Sequence, residues 1–196
     1  MNITSRLTAL DDATMSAEQR RVLDAILSGP RGNLDGPFLA WVHSPELADN
    51  AQRLGAFCRY GTRLELRLTE LAILLTASWW RSQAEWQIHA PIAAEAGLDD
   101  AVIEALREGR TPEFSRDDEA LVYRLGSTLY ATRRIDAALY AEAVAAFGEP
   151  ALVELIGVFG YYALVAMTLN VFDVRRGSAP LPFAEPLSGP DSENAG

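Results

Sequence analysis

Three ionisable side chains stand among apolar neighbours: Glu70, Glu85 and His89, in the run 70–97, ELAILLTASWWRSQAEWQIHAPIAAEAG. If residues 82–96 form a helix, Glu85 and His89 lie at i and i+4, on one face and within reach of each other. A histidine titrates near neutrality and a carboxyl in apolar surroundings is held protonated, so this pattern suits proton transfer. By spacing alone, an exposed ion pair on a helix would look the same. His43, beside SPEL, reads as a capping or core residue and stays outside the set. A metal site is not expected, because Glu70, Glu85 and His89 fall short of the ExxH pairs of di-iron bundles and the chain has only two histidines. Trp79, Trp80 and Trp86 read first as packing, with Trp80 or Trp86 also able to wall a pocket.

The elements that must position these residues read as helices. Ser16 and Gln19 form a capping box ahead of the apolar face Val22, Leu23, Ile26 and Leu27, on a helix ending near Gly29. The segment 29–36, GPRGNLDG, is rich in turn formers, and GPFLAWVHS after it predicts a short apolar helix or turn re-entering the core. Ser44 and Pro45 open a helix towards Tyr60, with Leu47, Leu54, Phe57 and Cys58 as its expected inner face. From about Leu64 a helix turns Leu68, Leu71, Ala72 and Leu75 inwards, and after Trp80 the chain should break before a new helix starts near Ser82 and is capped at Gly97. LDDAVIEALREG is a short amphipathic helix; Ser115 with Asp118 opens another, and Asp136 a third that stops at Gly148. Pro150 begins the most apolar element, which carries no charge from Leu155 to Phe172. Its Gly157, Gly160, Tyr161, Tyr162, Thr168 and Asn170, and the lack of a basic flank before it, favour a buried central or subunit-interface helix over a membrane span.

Composition narrows the function. A chain of 196 residues with 49% hydrophobic residues describes one folded domain, expected over 1–183, with a flexible tail over 184–196. The formal net charge is −10 and every basic residue is arginine, which argues against a nucleic-acid binder and against an anionic membrane surface. The amino terminus shows no basic segment followed by an apolar run, so the cytoplasm is the expected compartment. Cys58 is the single cysteine, which leaves no internal disulfide and no CxxC pair.

The spacing of Glu70, then Glu85-Trp86-Gln87-Ile88-His89 as EWxxH, then Ala93 to Leu98 as AxxAGL, resembles the carboxymuconolactone decarboxylase family, which is similar in fold to the alkyl-hydroperoxidase-D-like disulfide reductases. HSPELA at 43–48 and the long carboxyl-terminal helix with Asn170 also look like that family. The resemblance implies an all-α fold assembling into trimers or hexamers, and a cofactor-free lyase or isomerase acting on a small carboxylated lactone or related carbonyl acid. In the peroxidase branch a CxxC precedes the histidine; here those positions are Ser82 and Glu85, which cannot cycle through sulfenic acid and disulfide.

On this reading the catalytic residues are Glu85, His89 and Glu70: His89 is proton donor or oxyanion partner, Glu85 shares that role, and Glu70 orients the imidazole. Arg81, Trp86 and Trp80 are the expected substrate-binding residues, Arg81 as anchor for a carboxylate at the helix amino terminus. No metal or cofactor is expected, and the partners are a small-molecule substrate and further copies of the chain. A hydroperoxidase-type redox protein and a non-catalytic oligomeric binding protein are the competing readings.

Overall fold

The computed structural model describes residues 3–11, 13–177 and 180–184. Most of the tail expected over 184–196 lies outside the described residues. Among the described residues, eight helices follow a two-residue strand β1 (Ile3–Thr4): α1 (Ala17–Ser28), α2 (Phe38–Trp41), α3 (Pro45–Tyr60), α4 (Leu66–Trp80), α5 (Gln83–Glu95), α6 (Asp100–Arg107), α7 (Asp117–Thr132) and α8 (Ala137–Val171). A second short strand, β2 (Arg175–Arg176), pairs antiparallel with β1 and ties the chain's two ends together. The protein is all-α in every element that builds its core.

Local sequence explains the helix ends. Ser16 and Gln19 make the reciprocal capping box of α1, Asp99 caps α6 and Asp136 caps α8. The helix expected from Ser115 begins later, at Asp117, with Arg116 at the cap and no side-chain cap bond. The stop foreseen at Gly148 is present as a break within α8: Gly148 is non-helical at φ +76, and a second helical stretch follows it with Pro150 in its first turn.

Helix α4 is the central element. Residues 67–77 are buried without interruption, and the helix packs on α8, α5 and α7. No single face of α4 is solvated, as its continuous apolar run requires. Helix α8 is long and apolar enough to cross a bilayer by length and composition, yet 61% of its most apolar window is buried within this protein.

The inner face of α3 differs from the one foreseen. Leu47, Leu54 and Phe57 are 46%, 48% and 44% exposed, and Ala48, Ala51, Gly55 and Cys58 face inwards. The reason is close approach. A Cβ at Gly55 would collide with the Tyr161 hydroxyl and stand 2.6 Å from Arg31 Nη2, so only small residues fit the seam between α3 and α8. Leu27, placed on the inner face of α1, is likewise exposed.

Candidate active site

Helices α4 and α5 form a hairpin closed by one tight turn. Arg81 takes the left-handed conformation (φ 50, ψ 42), its N–H bonding back into the last turn of α4, and Ser82 is the N-cap residue of α5. The hairpin brings Glu70 of α4 opposite Glu85 and His89 of α5, all three at most 4% exposed. His89 Nδ1 lies 2.7 Å from Glu70 Oε2, and the His89 ring meets the Tyr162 ring edge-on at 5.0 Å. With Glu70 ionised, Nδ1 carries the shared proton and Nε2 is the nitrogen left for the cavity.

The close partner of His89 is therefore Glu70, across the helix interface, and not Glu85 one turn away. Glu85 and His89 share the face that their spacing predicts, and both line one cavity, but neither Glu85 oxygen makes a hydrogen bond. Burial pushes the Glu85 carboxyl well above its ordinary range; the Ser82 hydroxyl opposes this in part, and the Glu70 carboxylate adds to it. Burial thus favours the protonated form of Glu85. Cost falls on leaving such groups unpaired, about 1–3 kcal/mol each, so a set of them marks a place built to receive something polar. Glu70 Oε1, Ser82 Oγ, both Glu85 oxygens and the Tyr162 hydroxyl all lack a protein partner.

The cavity is lined by Glu85, Ile88 and His89 of α5, Tyr161, Tyr162, Val165 and Leu169 of α8, Arg59 of α3, and Arg31, Asp35, Gly36 and Pro37 of the loop before α2. The space for the centre of a water is about 20 Å³, and the empty space including the open mouth is about 330 Å³. That is room for about one water inside the cavity. Burial holds the Tyr161 hydroxyl up to about 12 and Tyr162 well above its usual value, so both remain neutral O–H groups.

The structure does not bring the other expected site residues to this cavity. Arg81 is exposed, donates to the Ala184 carbonyl at 3.1 Å and covers the Phe183 ring. Arg81 and Trp80 line a separate surface pocket of about 340 Å³ with Arg6, Gln83, Asn170 and Asp173. Trp86 is buried, edge-on to Phe183 at 5.2 Å, while Gln83 pairs with both backbone groups of Phe183. Their position follows from helical geometry, since Trp86 is one residue past Glu85 and points about 100° away from it. Phe183 is covered by its own chain, and Leu181 is exposed.

Sequence reading missed Arg31, Arg59, Tyr161 and Tyr162 as site residues. One signal was available: adjacent tyrosines in the uncharged stretch 155–172 need somewhere to put two hydroxyls. Cys58 is buried on α3, its thiol pushed up to about 11 mainly by burial, and it has no second cysteine. No group of three or more metal-ligating side chains occurs among the described residues.

No family model matches the chain, and no curated protein matches it. Among solved structures it is similar to an uncharacterized peroxidase-related protein from Ralstonia eutropha JMP134, described as an alkylhydroperoxidase AhpD core. The TM-score is 0.69 at 14% identity, over 89% of this chain and 93% of that one. The chain therefore has the alkylhydroperoxidase AhpD-like core fold.

Proposed function

We propose that the protein is a cofactor-free acid/base enzyme, a lyase or isomerase of a small carboxylated lactone or related carbonyl acid, similar to the carboxymuconolactone decarboxylases. The observation that carries this reading is the pairing of a protonated, unpartnered Glu85 with a Glu70-oriented His89 on one cavity wall. The two groups take separate roles: Glu85 donates a hydrogen bond to oxygen, and His89 moves a proton to or from carbon. For decarboxylation, the bond from the α-carbon to the carboxylate carbon breaks and its electron pair passes through the conjugated system onto the substrate carbonyl. Carbon dioxide leaves, Glu85 donates a hydrogen bond to the developing oxyanion, and protonated His89 delivers a proton from Nε2 to carbon. Isomerisation uses the same groups, with neutral His89 first removing a proton from carbon and then returning it to another.

A thiol peroxidase is the reading suggested by the neighbour's name. Against it, the positions that would hold the redox pair are Ser82 and Glu85, and Cys58 is buried on another helix. A panel of small lactones and keto acids in D₂O, read by carbon dioxide release and deuterium incorporation, tests the proposal. Turnover lost in His89→Ala supports it; hydroperoxide reduction lost in Cys58→Ser would replace it with the redox reading.

We further propose that the protein works as a homo-oligomer, a trimer or hexamer. Val153, Ile156, Met167 and Val171 of α8 are 71%, 43%, 42% and 62% exposed, which is costly for an apolar helix facing water alone. Sedimentation at micromolar concentration decides it, with a monomer as the contrary result.

A further inference from the structure

The cavity's charges do not balance, and the imbalance identifies a ligand. Asp35 is paired with Arg176 at 2.9 Å, Glu70 is engaged by His89 at 2.7 Å, and Glu85 is neutral. Arg31 and Arg59 line the same cavity and neither forms an ion pair among the described residues. Arg31 Nε and Nη2 are buried with no carboxylate partner and no well-aligned hydrogen bond; the guanidinium rests on the Phe38 ring at 5.0 Å, and its polar neighbour there is the neutral Tyr161 hydroxyl. Two uncompensated cations in a chain of net charge −10 are not explained by the fold. Guanidinium N–H groups are donors only, so what completes them is an acceptor, and a planar oxyanion matches two of them at once.

We propose that Arg31, supported by Arg59, is the anion anchor of the cavity, and that the ligand it takes is a small molecule bearing a carboxylate. The carboxylate seats against Arg31 Nε and Nη2, with the neutral Tyr162 hydroxyl as a further donor at the cavity wall, while the remainder of the ligand faces Glu85 and His89. The anchor is contributed by the 29–37 loop and α3, and not by the α4–α5 turn where Arg81 stands. Gly55 is part of the design, since any side chain there would displace both Tyr161 and Arg31. The inference rests on the proposed function only in taking this anion to be the substrate's own; the anchor stands or falls separately.

The test uses the full chain with acetate and its neutral isostere acetamide as probes, read through the imidazole carbon-proton resonances. The chain has two histidines, so His89 reports the cavity and the exposed His43 is an internal control. Acetate should shift His89 saturably and leave His43 unmoved, and acetamide should bind far more weakly. Arg31→Gln should weaken acetate binding roughly tenfold or more, as loss of charge-assisted hydrogen bonds predicts. Arg59→Gln should weaken it several-fold, which keeps the test decisive should Arg31→Gln not fold, and Arg81→Gln should leave it unchanged. No saturable shift, equal binding of acetamide, undiminished binding in the folded Arg31 and Arg59 variants, or loss in Arg81→Gln would each overturn the anchor. Acetate is not turned over, so an intact anchor with no lactone or keto-acid activity would sink the proposed function alone. Turnover of neutral substrates through His89 would do the reverse.

Discussion

Helix α4 carries two buried ionisable centres less than one turn apart, and the protein completes one and leaves the other open. Arg67 is 6% exposed and reaches Asp118 at 2.7 Å, Glu119 at 2.5 Å and Glu65 at 3.4 Å. Glu70, three residues on, is fully buried; one oxygen meets His89 and the other meets nothing, and Glu85, Ser82 and Tyr162 beside it are unpartnered too. The same helix shows that this fold can satisfy a buried charge when it needs to. On the proposed function the open centre is the site, and the completed one is scaffold tying α4 to the start of α7.

The comparison is broken most directly at the scaffold end. Arg67→Ala leaves Glu119 buried beside a partly exposed Arg116, and removing one partner of a buried pair costs about 3–5 kcal/mol. Denaturant unfolding should show a loss of that order with catalytic activity per folded molecule unchanged. A loss below about 1 kcal/mol would place the Arg67 cluster among ordinary surface pairs.

At the open end the expected loss includes activity. His89→Ala should lower turnover per folded molecule by about a hundredfold or more, chiefly through kcat; it also leaves the buried Glu70 without its partner, so the melt should fall as well. Glu70→Gln should cost less, because Glu70 orients the imidazole through Nδ1 and touches no substrate atom. Equal activity of parent and His89→Ala on an identified substrate would remove the acid/base assignment.

A third contrast lies along the cavity wall, between glycines that touch the site and glycines that do not. Gly55→Ala forces Tyr161 and Arg31 apart, and overpacking of this kind costs about 1–3 kcal/mol. Gly157→Ala on α8 meets nothing within 4 Å and gains about 1 kcal/mol of helix propensity at most. Thermal melts of the two variants should move in opposite directions, and acetate binding should weaken only in Gly55→Ala.

How far the sequence foretold this arrangement depended on whether the signal was local. The α4–α5 hairpin was legible because caps, the break after Trp80 and the Glu85–His89 spacing all lie within one stretch of chain. Arg31, Arg59, Tyr161 and Tyr162 converge from a loop and two distant helices, and apart from the adjacency of the two tyrosines nothing in their own neighbourhoods reports the meeting. The inner face of α3 was misjudged for a related reason. Reading large residues as inward assumes room for them, and the close seam at Gly55 leaves room only for alanine, glycine and cysteine. Arg81 was drawn to the site by its place before a helix amino terminus, whereas its left-handed conformation serves the turn itself.

The finest separation of the two centres is by pH, because their carboxyls are shifted in opposite directions. Hydrogen bonding from Arg67, against a smaller cost of burial, holds Asp118 below its ordinary value of 3.8, so its contribution is present above that value and is lost as pH falls through its lower folded value. Glu85 is raised well above 4.5, chiefly by burial. Between its unfolded and folded values the unfolded chain has released a proton that the folded chain retains, so its contribution declines as pH rises, by about 1.4 kcal/mol per pH unit. Above the folded value both states are ionised and the slope ends. Glu85→Gln keeps the shape and removes the titration: its stability should exceed the parent's by a margin that widens from about pH 5 upwards, while the acid limb set by Asp118 stays where it was. Unfolding free energies of the two proteins measured at intervals from pH 4 to pH 8 check this. Parallel curves would mean that Glu85 is ionised in the folded protein, and with that the neutral acid in the cavity would be gone.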